Sequence, residues 1–184
     1  SWGEHSILNF CGHELIEILL NQGHKVTVRP HPRTLQYAPE LINGIVREFS
    51  INTSFTLDDN TTAFEVYSQN HVMISDWSGA ALEFAFGLER PVIFFDVHKK
   101  LNNKEFQLME SVPIEEWIRG EIGIIISPYR LTDLPDALNN IRDNHQEFTK
   151  KIKRIRDKTI FNIRNSGKCG ADIIVGISDN LNLD

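Results

Sequence analysis

The fold of this chain is decided by residues 71–84, which read HVMISDWSGAALEF. Residues 72–74 form a short apolar run with a β-branched bias, which is typical of a buried strand. The run breaks at Ser75, and the residues from Gly79 onward are apolar nearly all round, which predicts a helix. Ser78 stands where the N-cap of that helix is expected. The stretch therefore predicts a strand, a tight polar turn and the start of a buried helix.

The predicted turn has the features of a phosphate site. A helix N-terminus presents N–H groups without helical partners, together with the positive end of the helix dipole. Gly79 lets the backbone approach a ligand closely, and the hydroxyl groups of Ser75 and Ser78 add donors. Glu83 is an acid about one turn into the helix. An ordinary capped strand–helix unit has the same local pattern, so both interpretations stay open at this point.

Length and composition narrow the class of protein. The 184 residues are enough for one domain with a substantial core, and 41% hydrophobic and 24% charged residues are typical of a soluble globular protein. A net charge of −6 argues against a general nucleic-acid binder. Two cysteines without metal-ligand spacing indicate a reducing cytosol. No apolar run approaches the roughly 20 residues of a membrane span, and no signal peptide is recognisable.

Strand and helix patterns alternate along the chain. Strands are predicted over residues 25–29, 55–57, 72–74, 91–95 and 122–126. Helices are predicted up to residue 22, over 39–49 and 63–69, from 79, over 131–160 with one possible break, and over 171–177. The polar segment 96–120 is predicted to be irregular and anchored by Trp117 and Ile118. This alternation predicts an α/β fold with a doubly wound, mostly parallel, Rossmann-like sheet in a single domain spanning residues 1–184.

Three motifs and the chain's ending resemble one family. They are RPHPR at 29–33, SDWSG at 75–79, RPVIFF at 90–95 and NSGK at 165–168. Together they resemble the C-terminal half of the CDP-glycerol glycerophosphotransferases, the polymerases and primases of teichoic acid synthesis. The resemblance implies the nucleotide-binding half of a GT-B architecture, with an active site between two such domains. A half-domain of this kind should begin with a strand, whereas the first predicted element is a helix. We therefore expect a strand upstream of Ser1 and a longer protein.

Several side chains near the ends of strands are candidates for the donor site, and the resemblance implies the roles of His31 and Glu83. His31 is implied to contact the donor phosphates or to stabilise the leaving group, and a structural turn is the alternative. Arg33 is a fork donor for phosphate or a solvated surface arginine. Glu83 resembles the acid that binds ribose hydroxyls, or else pairs with a nearby arginine. Thr61 reaches the nucleotide from a neighbouring turn or caps a helix. Asp76 is expected to hold its turn by accepting from backbone N–H groups.

Two further features have simpler explanations. Asp58 and Asp59 are followed by no third ligand at useful spacing, so no metal is expected. The transfer reaction that the resemblance implies demands no cofactor either. The basic stretch 150–158 is expected to be a solvated helix face that nucleotide binding does not need. Contact with an anionic membrane or polymer is its alternative.

The sequence thus predicts the donor-binding domain of a transferase that moves glycerol phosphate, or a similar polyol phosphate, from a CDP-activated donor to an envelope polymer or lipid-linked acceptor. The missing N-terminal GT-B domain is expected to supply the general base and to contact the last helix, 171–177. The chain alone should then bind nucleotide with little turnover. We expect a cytoplasmic protein, with peripheral contact at the inner face of the membrane as an option.

Two alternatives remain open. Trp77 stands where the family has tyrosine, and Gly79 replaces a serine, which bears on the identity of the donor. A sugar-nucleotide-dependent GT-B glycosyltransferase or epimerase is therefore the first alternative. A non-catalytic α/β interaction module is the second. For the preferred interpretation we expect one parallel sheet of at least five strands, with His31 and Ser78 at the same carboxyl edge.

Overall fold

The computed structural model describes residues 2–59, 63–99 and 112–181. The described strands are β1 (Val26–Val28), β2 (Phe55–Leu57), β3 (Met73–Ser75), β4 (Val92–Phe95) and β5 (Gly123–Ile126). The helices are α1 (Ile7–Asn21), α2 (Pro32–Tyr37), α3 (Pro39–Phe49), α4 (Ala63–Ser68), α5 (Gly79–Leu88), α6 (Ile114–Trp117), α7 (Arg119–Ile122), α8 (Leu134–Asp143), α9 (His145–Thr159) and α10 (Ser166–Leu181), with a 3₁₀ turn at Leu131–Asp133. The α/β class predicted from the sequence is confirmed.

The strands are all parallel but form two ladders rather than one sheet. Strands β1 and β2 form the first ladder, in which Val26 lies opposite Phe55. Strands β3, β4 and β5 form the second, with β4 in the middle. The expectation of one sheet of at least five strands is therefore wrong, because no ladder joins β1 to β3 within the residues that the structure describes.

Strand β4 shows why the fold is doubly wound. All four of its residues are buried, as a near-continuous apolar strand of a parallel sheet requires. Ile93 and Phe95 belong to a core that they share with α1, α8 and the two valines of β1. Val92 and Phe94 belong to a second core with α5, α7 and α9. Because successive side chains of a strand point to opposite faces, helices cover both faces of this ladder.

Strand β5 lies against β4 closely enough to demand glycine. A Cβ built on Gly123 would lie 1.8 Å from the carbonyl oxygen of Val92, a backbone atom that has no rotamer with which to move away. The backbone of Gly123 is extended, so the constraint is one of space rather than of conformation.

Several boundaries differ from the sequence predictions. Trp117 is 47% exposed and so is no anchor, whereas Ile118 is fully buried. The long helical region breaks once, at Asn144 between α8 and α9, as predicted. The last helix is longer than predicted and leaves a group of apolar side chains exposed, namely Ile173, Ile174, Val175 and Ile177.

Candidate functional site

The segment from Trp2 to Ile7 links the end of β1 to the end of β3. The indole of Trp2 lies 6.4 Å from the His31 ring, between ring centroids. At the other end of the segment, the backbone N–H of Ile7 donates to Asp76 Oδ2 over 2.9 Å. His31 follows β1 and Asp76 follows β3, so this short segment brings the carboxyl ends of the two ladders to one neighbourhood.

His31 caps the short helix α2. Its Nδ1 accepts a hydrogen bond from the backbone N–H of Arg33 over 3.0 Å, and Pro32 occupies the first helical position. With Nδ1 as acceptor, the neutral ring carries its proton on Nε2, which is a donor that suits a phosphate oxygen. The structural role that the sequence left open is therefore present, and it also fixes the orientation of the ring.

Arg33 lies beside His31 and stacks on Trp2. Its guanidinium carbon is 4.7 Å from the centroid of the indole ring, and the side chain is exposed. Stacking through the guanidinium face leaves the N–H groups pointing outward in the plane, where they can bind an anion.

Asp76 holds the turn after β3, although in a different way from that predicted. The side chain is 1% exposed, and it accepts from the first residue of α1 rather than from its own turn. The prediction that Asp76 accepts from a backbone N–H is confirmed. Ser75, the last residue of β3, is also buried.

Ser78 occupies the N-cap position of α5, but its hydroxyl makes no capping hydrogen bond. The predicted side-chain cap is wrong because the N–H of Ala81, which such a cap would use, is bonded to the carbonyl oxygen of Ser78 itself over 3.1 Å. The hydroxyl is thereby left for other partners. Gly79 is exposed, and a Cβ added there would meet nothing within 4 Å, so packing within the chain does not require glycine at this position.

Arg119 lies behind the turn and was missed by sequence reasoning. It is 3% exposed, and its guanidinium carbon lies 3.9 Å from the centroid of the Trp77 ring. It donates to Asp96 Oδ1 over 2.8 Å, and the Trp77 indole N–H donates to the carbonyl of Val97 over 2.9 Å. The one signal in the sequence is its position directly after Ile118, which the sequence predicts to be an anchor of segment 96–120. Its partners are distant in sequence, so the contact itself could not be read.

The remaining candidates are less closely tied to this neighbourhood. Glu83 is exposed on α5, and it forms no ion pair with any arginine that the structure describes. The pKa of Tyr67 is raised, chiefly by burial; the nearby Arg29 opposes the rise, and the charges of Glu83 and Asp58 add to it. Thr61 lies outside the described residues. Asp58 pairs with Arg29 Nη1 at 2.5 Å, which is a structural use of its charge.

The basic stretch 150–158 is mostly exposed, as predicted. Ile152 is its buried anchor, while Lys150, Lys153 and Arg154 face solvent. Arg156 departs from the pattern because its Nη1 donates to Glu89 Oε1 over 2.8 Å and to the carbonyl of Phe86, both near the end of α5.

Among the described residues, no group of three or more histidine, cysteine or acidic side chains is arranged to hold a metal ion. None of the described helices is both long enough and apolar enough to cross a membrane.

Comparison with known families gives a match that covers most of the chain. The family model described as CDP-Glycerol:Poly(glycerophosphate) glycerophosphotransferase matches residues 7–170, which include the loop after β1, the turn after β3 and Arg119. Curated protein sequences give no match to the chain.

Proposed function

Because the chain belongs to the CDP-glycerol:poly(glycerophosphate) glycerophosphotransferase family, we propose that it is the donor-binding part of such a transferase. The family indicates glycerophosphotransferase-type activity. The proposal adds a place for the donor. The pyrophosphate of a CDP-activated glycerol phosphate binds between the loop 29–33 and the turn 75–79.

The observation that carries this proposal is the bridge formed by residues 2–7. It ties the loop that holds His31 and Arg33 to the turn that leads into α5. Open α/β sheets bind ligands at the carboxyl ends of their strands. The N-terminus of α5, the Nε2 side of His31 and the guanidinium of Arg33 then supply the positive field for a pyrophosphate.

The proposed reaction is a substitution at phosphorus. A hydroxyl of the acceptor attacks the β-phosphorus of the donor, the bond from that phosphorus to the bridging oxygen breaks, and CMP leaves with the electron pair. The glycerol phosphate is thereby joined to the acceptor as a phosphodiester, and the hydroxyl proton passes to a base. This chain fixes the pyrophosphate and offsets the charge that develops on the leaving group, through His31 and the helix N-terminus.

The other groups have supporting roles in the proposal. Ser78 and Gly79 donate from the start of α5, Ser75 supports the turn from beneath, and Glu83 with Thr61 serves the nucleoside end of the donor. Trp77 is held by Arg119 at 3.9 Å, so Arg119 is a positioning residue for this turn.

The wider setting is also part of the proposal. A second GT-B domain supplies the general base and covers the apolar side chains of α10, and the acceptor is a polymer or lipid-linked chain. Both cysteines are free, which is typical of a reducing compartment, so a cytoplasmic location is proposed. The exposed lysines of α9 are available for contact with the inner face of a membrane.

Isothermal calorimetry with CDP-glycerol tests the proposal, and two variants make the test sharp. Ser78→Ala removes the hydroxyl without removing a cap, since the hydroxyl makes none. His31→Asn keeps a good N-cap acceptor for α2 but deletes the ring Nε2. Each variant should keep its melting temperature and should weaken CDP-glycerol binding about tenfold to a hundredfold, the loss expected for a charge-assisted hydrogen bond.

The choice of nucleotide separates the alternatives. Tighter binding of UDP-glucose or GDP-mannose than of CDP-glycerol would favour the sugar-nucleotide glycosyltransferase. A chain that binds none of the three would be the non-catalytic module. Unchanged CDP-glycerol affinity in both variants would show that the phosphate does not bind at this turn.

A further inference from the structure

Asp96 presents an exposed carboxylate at the end of β4, the middle strand of its ladder. It follows β4 directly, and its side chain is 55% exposed. Its backbone N–H donates to the carbonyl of Ile126 over 2.9 Å, which holds the residue at the carboxyl ends of the strands. Ser75 of β3 lies opposite Phe94 of β4, so Asp96 and Trp77 each stand two residues beyond this pair. The carboxylate therefore lies beside the turn to which the proposed function assigns the pyrophosphate.

A buried arginine holds this carboxylate by one oxygen. Nη1 of Arg119 donates to Asp96 Oδ1 over 2.8 Å, while the guanidinium carbon lies 3.9 Å from the centroid of the Trp77 ring. The same buried group thus fixes both the carboxylate and the turn. Within the described part of the chain, Asp96 Oδ2 accepts no hydrogen bond. The pair therefore orients the carboxylate and leaves one of its oxygens for a ligand.

The chemistry of a carboxylate limits what this ligand can be. An ionised carboxylate accepts hydrogen bonds and donates none, so its ligand has to bring donors. Phosphate oxygens bring none and are repelled by its charge. The donors that a CDP-activated polyol phosphate carries are the hydroxyl groups of the polyol and the donor groups of the nucleoside. Asp96 is therefore suited to one end of the donor rather than to the pyrophosphate.

The side chains proposed for the nucleoside lie on the side of β1 and β2. Arg29, directly after β1, pairs with Asp58 after β2 and lies over the Tyr67 ring at 5.7 Å from its centroid. The pKa of Tyr67, raised chiefly by burial, is also raised by the charge of Glu83, so Glu83 lies near this group. Asp96 follows β4 in the other ladder. A pyrophosphate at the turn after β3, with its nucleoside toward Glu83, then directs its polyol toward Asp96.

We propose that Asp96 binds the hydroxyl groups of the polyol and thereby selects the group that is transferred, an inference that rests on the proposed donor site. Oδ2 accepts from the glycerol hydroxyls, while Arg119 holds Oδ1 and acts as a positioning residue. The positive charge of Arg119 also offsets the repulsion between this carboxylate and the nearby phosphates. A donor whose transferred group lacks hydroxyls gains nothing from Asp96.

Isothermal calorimetry with two donors of equal charge tests this inference. CDP-glycerol is compared with CDP-propanol, the ester of n-propanol, which lacks only the glycerol hydroxyls. The wild-type chain should bind CDP-glycerol about tenfold to a hundredfold more tightly, the gain expected for a hydrogen bond to a charged acceptor. Asp96→Ala should lose this preference by weakening CDP-glycerol binding alone, with the affinity for CDP-propanol unchanged.

Two further variants separate recognition from stability. Asp96→Asn keeps an oxygen acceptor for the buried Arg119, so it should remain folded where Asp96→Ala might not. It removes the charge and should reduce the preference for CDP-glycerol about fivefold. Asp143→Ala is the matched control, because it removes a carboxylate that is 62% exposed from an ion pair with Arg142 in α8. It should leave both affinities unchanged.

The outcomes distinguish this inference from the donor site on which it rests. Equal affinity of the wild-type chain for the two donors, or equal weakening of both in Asp96→Ala, would overturn the role of Asp96 and leave the donor site standing. A lower melting temperature in Asp96→Asn with an unchanged preference would overturn it too, since it would show that the ion pair is structural only. Binding of neither donor by the wild-type chain would overturn the proposed function and this inference together.

Discussion

Asp76 is the residue on which the geometry of the candidate site depends most. Its buried carboxylate ties α1 to the turn after β3 and lies near the positive end of the α1 dipole. We predict that Asp76→Ala lowers the free energy of unfolding by about 1–3 kcal/mol, because it leaves a buried N–H without its acceptor. Urea denaturation measures the difference.

Asp59→Ala is the matched control for this prediction. Asp59 is exposed, so its replacement should change the free energy of unfolding by less than about 0.5 kcal/mol. Asp76→Asn, which keeps an oxygen acceptor but removes the charge, should fall between the two. Equal stability of Asp76→Ala and the wild type would contradict the bridging role of Asp76.

Cys11 gives the chain a pH dependence with a definite sign. Burial, with the negative charges of Glu14 and Asp76, raises the pKa of its thiol from 9.0 to about 11. Between these values the unfolded chain loses the thiol proton while the folded chain keeps it. The contribution of this thiol to stability should therefore fall as the pH rises from about 9 to about 11.

A single variant isolates this effect. Cys11→Ala should flatten the decline in unfolding free energy between pH 9 and pH 11, whatever its effect on stability at neutral pH. The less buried Cys169 should react with a thiol reagent well before Cys11 at pH 8, since only the thiolate is the nucleophile. A faster reaction at Cys11, or an unchanged slope in the variant, would contradict the assignment.

Residues were predictable where their role depends on neighbours in sequence. The N-cap position of Ser78 follows from the local pattern of strand, turn and helix. Asp76 was expected to accept from backbone N–H groups, but its partner, the N–H of Ile7, lies 69 residues away and could not be predicted from that pattern. The missing cap bond at Ser78 was not predictable, because it depends on how the N–H of Ala81 is used. The stack of Arg119 on Trp77 joins residues far apart in sequence.

At the scale of elements, the close approach of β5 to β4 makes a strong prediction. Gly123→Ala would place a methyl group against the Val92 carbonyl oxygen, where an unshifted Cβ would lie only 1.8 Å away. We expect the free energy of unfolding to fall by about 3 kcal/mol, at the upper end of the cost of overpacking. Thermal and urea denaturation both measure it.

Gly120→Ala controls for the chemistry of the substitution. Gly120 lies in α7, and an added Cβ meets nothing within 4 Å. Alanine should be neutral there or stabilise by up to about 1 kcal/mol through helix propensity. Similar losses in the two variants would show that the fit between β4 and β5 is looser than described.

Most elements were predictable because each carries its own apolar period. Strand β2 and helix α3 begin and end where the pattern indicates. The division of the strands into two ladders was not predictable, because strand pairing depends on contacts between distant parts of the chain. Short strands of three residues give no sequence signal for which neighbour they choose.

For the whole molecule, two isoleucines distinguish the packed body from the last helix. Ile152 of α9 is fully buried in the core with α5 and α7, whereas Ile174 of α10 is 69% exposed. We predict that Ile152→Ala lowers the free energy of unfolding by about 2–5 kcal/mol. Ile174→Ala should change it by less than about 0.5 kcal/mol. A large loss in Ile174→Ala would mean that α10 packs on the rest of this chain.

The central claim is that a CDP-activated donor binds where the ends of β1 and β3 meet. Backbone chemical-shift mapping during titration with CDP-glycerol tests it most directly, since it locates the ligand without any substitution. We predict that the largest shifts fall within residues 2–7, 29–33 and 75–79, and that residues 150–158 stay unchanged. Saturable shift changes confined to other regions would contradict the claim. So would the absence of any shift change when CDP-glycerol is in large excess over the protein.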